Sequence, residues 1–242
     1  MAKSYTLHLE RRGNIKDYIF ESQLTLWGES KVIGFGDKGF YLKEIDKNLA
    51  NDRIKKNHYS KKVYNATYIH LGVFIYGELL GVLQYGYAMN PASGNSVVKG
   101  TKIDEYLELN RMWLDDKAKR NSESKAISYS IKYIKKRFPK IKWKQSFADE
   151  RCGGLGVVYQ ACSFNYYGEH VSTFWELNGE VYHNIQMTVA KDSKRYKGGA
   201  KYLQENKDNA TKMRLRQFRY IKFIDKRVKK NCLFDEKPYP KP

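Results

Sequence analysis

A handful of side chains in this sequence have the type and setting to do chemistry. Asp149 follows an alternating run, Ile141-Lys142-Trp143-Lys144-Gln145, that reads as a strand, and it falls where that strand ends. Gly153, Gly154 and Gly156 then supply a permissive turn, and 157–163 reads as a helix. A carboxylate at a strand end, a glycine turn and a helix start are how α/β proteins place polar chemistry beside a sheet. A tight turn capped by an Asp has the same pattern. Arg111 sits in Tyr106–Leu114, an alternating strand with Glu108, Asn110 and Met112 on one face. Leu107, Leu109, Arg111 and Trp113 share the other face, where an arginine needs an anionic ligand or a partner such as Asp115 or Asp116. His58 and Tyr59 are adjacent hydrogen-bonding rings, suited to proton relay or to capping and packing. Ser122 and Ser124 open a helix whose N–H groups can hold an anion or be capped in the ordinary way.

These residues need a scaffold, and the chain can build one. Its 242 residues are 41% hydrophobic and 14% aromatic, enough for one domain with a real core. No apolar run reaches the ~18 residues that span a bilayer, and the N-terminus has no signal-peptide core. Cys152, Cys162 and Cys232 match no zinc template, so no metal is expected from their spacing. Reduced thiols are the expectation, and with them a cytoplasmic location. The net charge of +19 would gather polyanions, nucleic acid first and an acidic membrane surface second.

The pattern predicts a mixed α+β fold. Residues 24–39, broken by four glycines, read as strands and turns, and 44–56 as a helix burying Ile45, Leu49 and Ile54. Asn57 would close it in a left-handed conformation. Residues 68–76 and 79–86 form a hairpin about Gly77-Glu78. Residues 121–137 form a helix with a basic outer face, stopped by Pro139. Asn178-Gly179 is a second hairpin turn. From Lys191 onward there are 17 Lys and Arg against 6 acids. There, Arg214, Arg216, Arg219 and Lys222 alternate with Phe218, Tyr220 and Phe223, which suits DNA backbone contacts and stacking on an extruded base. A packed element with a solvated basic face fits equally. No linker divides the chain, so one domain is expected: strands and turns over 1–44, a core over 45–190 and a basic extension over 191–242.

The order of hairpin, strand, basic-faced helix, strand, helix and final hairpin resembles the GNAT acyltransferases. Their fold is a mixed, mostly antiparallel sheet flanked by helices. Asn57-His58-Tyr59-Ser60, Gly81-Val82-Leu83-Gln84-Tyr85-Gly86, Glu108-Leu109-Asn110-Arg111-Met112-Trp113, Ser122-Glu123-Ser124, Ser146-Phe147-Ala148-Asp149, Val158-Tyr159-Gln160-Ala161 and Pro238-Tyr239-Pro240-Lys241 narrow this further. Together, from about residue 45 onward, they resemble the Mom family of bacteriophage DNA-modification proteins. The resemblance implies a transferase acting on the exocyclic amine of adenine in double-stranded DNA, which protects phage DNA from restriction. It implies His58, Tyr59, Arg111, Ser124 and Asp149 as functional residues, with Ser122 beside Ser124. It also brings in acyl-CoA or iron. The stretch 119–126 lacks the glycines that cradle a CoA pyrophosphate, so an aminoacyl-tRNA donor also suits. Cys152-Gly153-Gly154 stands where the family usually carries a His, which counts against a metal.

On that reading Asp149 accepts a hydrogen bond or proton from the amine, and Arg111 holds an anionic or carbonyl part of the donor. Tyr59 and His58 stack on the base or relay protons, and Ser124 binds a donor oxygen. The rival expectations are a GNAT N-acetyltransferase of protein or small-molecule amines, and a DNA-binding counter-defence protein without chemistry.

Overall fold

A computed structural model describes residues 5–12, 15–24, 29–196 and 198–241. Four N-terminal strands, β1 (Tyr5–Arg12), β2 (Ile15–Leu24), β3 (Glu29–Gly36) and β4 (Phe40–Glu44), lead into helix α1 (Lys47–Asn57). The hairpin follows as β5 (Thr67–Ile75) and β6 (Glu78–Gly86), then β7 (Tyr106–Leu114), α2 (Ser122–Arg137) and β8 (Trp143–Asp149). After α3 (Val157–Ala161) come β9 (Asn165–Leu177), β10 (Glu180–His183), α4 (Ile185–Thr188), α5 (Gly199–Glu205) and β11 (Thr211–Phe223). Among the described residues eleven strands join one sheet in the order β1-β2-β3-β4-β5-β6-β7-β8-β11-β9-β10. The basic C-terminal segment therefore supplies an interior strand, because β11 is inserted antiparallel between β8 and β9.

One pair is parallel. β7 and β8 share register only from Tyr106↔Trp143 to Glu108↔Gln145, and beyond that both strands continue without pairing to each other. The sheet opens there into a splay, as the GNAT-like order implies. A second irregularity sets its chemistry. Tyr85 pairs with Leu109 and Gln84 with Arg111, which leaves Asn110 as an extra residue in β7. A bulge of one residue reverses the face of everything after it. The strict alternation expected from sequence put Glu108 and Arg111 on opposite faces, and the bulge brings both to one cleft.

The largest core cluster lies under α2, where Ile127, Tyr133 and Ile134 meet Leu42, Leu71, Leu83 and Leu107. Ala50 and Ile54 of α1 pack on Val82 and Trp113 in a separate cluster. The helix starts later than the expected residue 44, because Asp46 caps α1: its carboxylate accepts from the Asn48 and Leu49 backbone amides at 2.7 and 3.3 Å. Leu49 is 41% exposed, so the buried stripe runs through Ala50 and Ile54 instead. The helix ends without a left-handed residue. His58 is extended, and the Asn57 side chain donates from Nδ2 back to the Arg53 carbonyl at 3.1 Å.

Candidate active site at the strand splay

The splay holds a cleft of about 920 Å³ lined by Tyr59, Glu108, Arg111, Phe147, Asp149 and Arg219, among others. Asp149 and Arg111, expected together from the sequence, do converge there. They come from strands that share no register at that level, so only the opening of the sheet lets both face one space.

Asp149 is buried, and its carboxylate is taken by a residue the sequence reading did not single out. Arg151 donates its backbone N–H to Oδ1 at 3.0 Å and its Nε to Oδ2 at 2.9 Å, and its Nη2 also reaches Oδ2. Burial alone would raise the Asp149 pKa, but these Arg151 bonds outweigh it and hold the carboxyl below its ordinary value. A carboxylate so paired is a weak base. The expected proton-acceptor role therefore fits Asp149 poorly, and a positioning role fits well: the Tyr59 hydroxyl donates to Oδ2 at 3.4 Å. Arg151 spreads over the Tyr59 ring at 5.5 Å and the Phe174 ring at 4.6 Å.

His58 does not line the cleft. It is buried beneath Tyr59, with ring centroids 4.3 Å apart. The Ser60 amide donates to its Nδ1 at 3.1 Å, which places the proton of the neutral ring on Nε2. Burial, then the charges of Arg111 and Arg151, push its pKa down to about 4. His58 thus stays neutral and supports Tyr59, which is 55% exposed in the cleft. Burial, then the Asp149 charge, pushes the Tyr59 phenol up, so it remains a donor.

Arg111 is anchored on one edge: Nε donates to the Lys62 carbonyl at 2.8 Å and Nη1 to the Asn110 carbonyl at 2.6 Å. Neither Asp115 nor Asp116 is its partner. Those two carbonyls are neutral, so the positive charge stays available to a bound anion or polarised oxygen.

Glu108 is a buried cleft residue that the sequence reading did not single out for chemistry. It lies at the last paired position of the parallel strands, at the base of the cleft. Burial pushes its pKa up to about 7, against the opposing effect of the amides of Gln145 and Asn110 and the charges of Arg111 and Arg219. Only its spelling beside Asn110 and Arg111 in one strand could have pointed to it.

The remaining expected residues disperse. Ser122 is buried and the Ser124 hydroxyl donates to the Asn121 carbonyl at 3.0 Å; neither lines the cleft. Along β11, alternation puts Arg219 in the cleft and Arg214, Arg216 and Lys222 on the opposite face. Arg216 pairs with Glu150 at 2.8 Å and Glu169 at 3.8 Å, while the Lys222 ammonium donates to the Cys162 and Ser163 carbonyls at 3.0 and 2.9 Å. The four cations do not form one stripe. Phe218, Tyr220 and Phe223 are buried in the core, so none of them is free to stack on a base. Phe147 and Phe234 flank the Arg219 guanidinium at 5.4 and 4.5 Å.

Neither group considered for the family fits well. Among the described residues no three of His, Cys, Asp and Glu gather as metal ligands, so an iron ion has no ready donor set. At the start of α2 no glycine clears the backbone and Glu123 adds an acid to the first turn, which opposes a pyrophosphate. Among the described residues no helix is long and apolar enough to cross a membrane.

Among solved structures the chain is similar to a ribosomal-protein-S5-alanine acetyltransferase from Vibrio fischeri, 10% identical, with a TM-score of 0.48 over 80% of this chain and 98% of that one. It is also similar to an N-acetyltransferase from Staphylococcus aureus Mu50, 12% identical, with a TM-score of 0.43 over 76% and 98%. A curated relative, methylcarbamoylase mom of Escherichia phage Mu, is 49% identical over 218 residues, 88% of each chain. The model of the Mom protein family matches residues 39–241, which include the splay, the bulge and every cleft residue named above, and the chain belongs to that family.

Proposed function

We propose that this chain is a transferase that modifies DNA, moving a small acyl or carbamoylmethyl-type group onto the exocyclic amine of adenine and so protecting phage DNA from restriction. The observation that carries this reading is the meeting of Glu108, Arg111 and the Asp149–Arg151 pair in one cleft with aromatic walls. The 49% identity to a methylcarbamoylase and the charge of +19 support it. A buried carboxyl beside Arg111 in the cleft favours chemistry there over DNA binding alone.

An adenine amine is a poor nucleophile, because its lone pair is delocalised into the ring. Its nitrogen forms a bond to the donor's transferred carbon as the bond from that carbon to the leaving group breaks, and the electron pair departs with the leaving group. The amine proton goes to the Glu108 carboxylate, which can pass it on to the leaving group. Arg111 holds the donor's polarised oxygen. Tyr59, set by Asp149 and His58, and the rings of Phe147 and Phe234 receive the unstacked base. Ser122 is buried and the Ser124 hydroxyl is committed to the Asn121 carbonyl, so neither is given a donor contact. Arg214 and Arg219 serve the nucleic acid, Arg219 inside the cleft and Arg214 outside it. Mass spectrometry of nucleosides from DNA of cells expressing the chain should reveal a deoxyadenosine carrying added mass on its base. Unmodified nucleosides throughout would refute the reading.

A further inference from the structure

The cleft contains polar atoms that the protein leaves unsatisfied, and their pattern specifies a ligand edge. Glu108 accepts from Asn110 Nδ2 at 3.1 Å and from Gln145 Nε2 at 2.9 Å. An ionised carboxylate can only accept, so both amides must turn their nitrogens toward it. Their oxygens, Asn110 Oδ1 and Gln145 Oε1, are left buried without a hydrogen-bond partner, and so is Arg219 Nη1. All three residues line the same cleft. A buried orphan polar atom costs about 1–3 kcal/mol and is uncommon in native structures, and with Gln217 Nε2 four of them belong to residues lining this cleft, which marks the place of a ligand.

We infer that Asn110, Gln145 and Arg219 form a base-reading site, which selects a nucleobase bearing an exocyclic amine by accepting from its N–H₂ group and donating to its ring nitrogen. The inference rests on the DNA-transferase reading and adds the residues that choose the base. An amino base offers two N–H donors beside a ring-nitrogen acceptor. A keto base would set its oxygen against the two amide oxygens and leave all three lone-pair sites facing one another. Glu108 holds both amides in the reading orientation, so the group that takes the proton also fixes specificity. The aromatic walls around Arg219 are indifferent to which base enters, which leaves discrimination to the polar floor. The charged and titratable groups acting on Glu108 are Arg111 of β7, Arg219 of β11, and the phenols of Tyr106 and Tyr159.

The test removes atoms from the ligand as well as from the protein. Labelled duplexes carry adenine, cytosine, hypoxanthine or thymine opposite an abasic site, so that extrusion costs the same pairing in each. Wild-type protein should bind the adenine and cytosine duplexes at least about tenfold more tightly than the hypoxanthine and thymine ones. In Gln145→Met, which keeps the length of the side chain, and separately in Asn110→Ala, that preference should fall to about twofold or less. Equal binding of adenine and hypoxanthine duplexes by wild type overturns the inference without a variant having to fold. Full preference in a folded Gln145→Met protein also overturns it. A wild-type preference for amino bases, lost in the variants, in protein that leaves cellular nucleosides unmodified would keep the base-reading site and end the transferase reading. Modified deoxyadenosine without any binding preference would do the reverse.

Discussion

Glu108→Gln separates the two consequences of a buried carboxyl, because it keeps the shape and removes the charge. Burial pushes the wild-type carboxyl up to about 7 from an ordinary 4.5, a gap worth about 3 kcal/mol. The sign follows from the direction of the shift. The folded state holds this proton more tightly than the unfolded chain, so the contribution is fully present below pH 4.5 and is lost as pH rises through about 7. At pH 8 the wild type therefore has a charged Glu108 in a desolvated place, and Gln relieves it. The substituted amide sets one donor against Asn110 or Gln145, which takes back about 1 kcal/mol. The net expectation is a variant about 2 kcal/mol more stable than wild type at pH 8, a rise of roughly 4–8 °C in melting temperature for a chain of this size. At pH 4.5 the two proteins should melt within about 2 °C of each other. Activity should move the other way. In cell extract supplying the donor, conversion of plasmid deoxyadenosine should fall by about 10²–10⁴ in the variant. The wild-type rate should climb with pH to a plateau above about 7. A melting difference that is the same at pH 4.5 and 8, or a variant with wild-type conversion and the same pH profile, would refute the assignment.

Arg111→Lys keeps the charge but cannot make both carbonyl bonds that orient the guanidinium, so conversion should drop by at least about tenfold with little change in folding, read by nucleoside mass spectrometry beside circular dichroism. Gly156 has φ +77°, and an added Cβ would run into the Tyr220 ring. Gly156→Ala should therefore destabilise by more than about 2 kcal/mol in urea unfolding, and a smaller loss would mean that α3 and β11 shift apart easily. Arg219→Ala should weaken binding of an extrahelical-base duplex by at least about tenfold, and Arg216→Ala, already paired with Glu150 and Glu169, by less than about threefold. Fluorescence anisotropy at fixed salt reads both, and equal losses would mean that β11 meets DNA with both faces.

The elements were legible where local chemistry fixes them. Asn178 and Gly179 take φ of 52° and 78°, the primed turn that Asn-Gly favours, and the flanking runs pair as β9 and β10. The strand holding Arg111, the α2 helix and the Asp149 strand end also read true, since each rests on periodicity. What did not show was register. One extra residue at Asn110 decides that Glu108 and Arg111 share a cleft, and alternation counted along a strand cannot reveal a bulge set by the partner strand. The capture of Asp149 by Arg151 depends on the turn folding back over two residues. The placement of β11 inside the sheet depends on a pairing with β8, more than sixty residues away, that composition does not encode. That placement is why the aromatics of the basic segment are core and its cations divide between two faces.

The central claim is that one cleft, with Glu108 taking the proton, modifies a DNA base amine. The most direct measurement is the fraction of deoxyadenosine converted in DNA of cells expressing wild type, Glu108→Gln or Arg216→Ala protein at matched levels. The account predicts a modified deoxyadenosine in wild type and Arg216→Ala, and at least about a hundredfold less in Glu108→Gln. Equal conversion in all three, or modification of another nucleoside in place of deoxyadenosine, would contradict it.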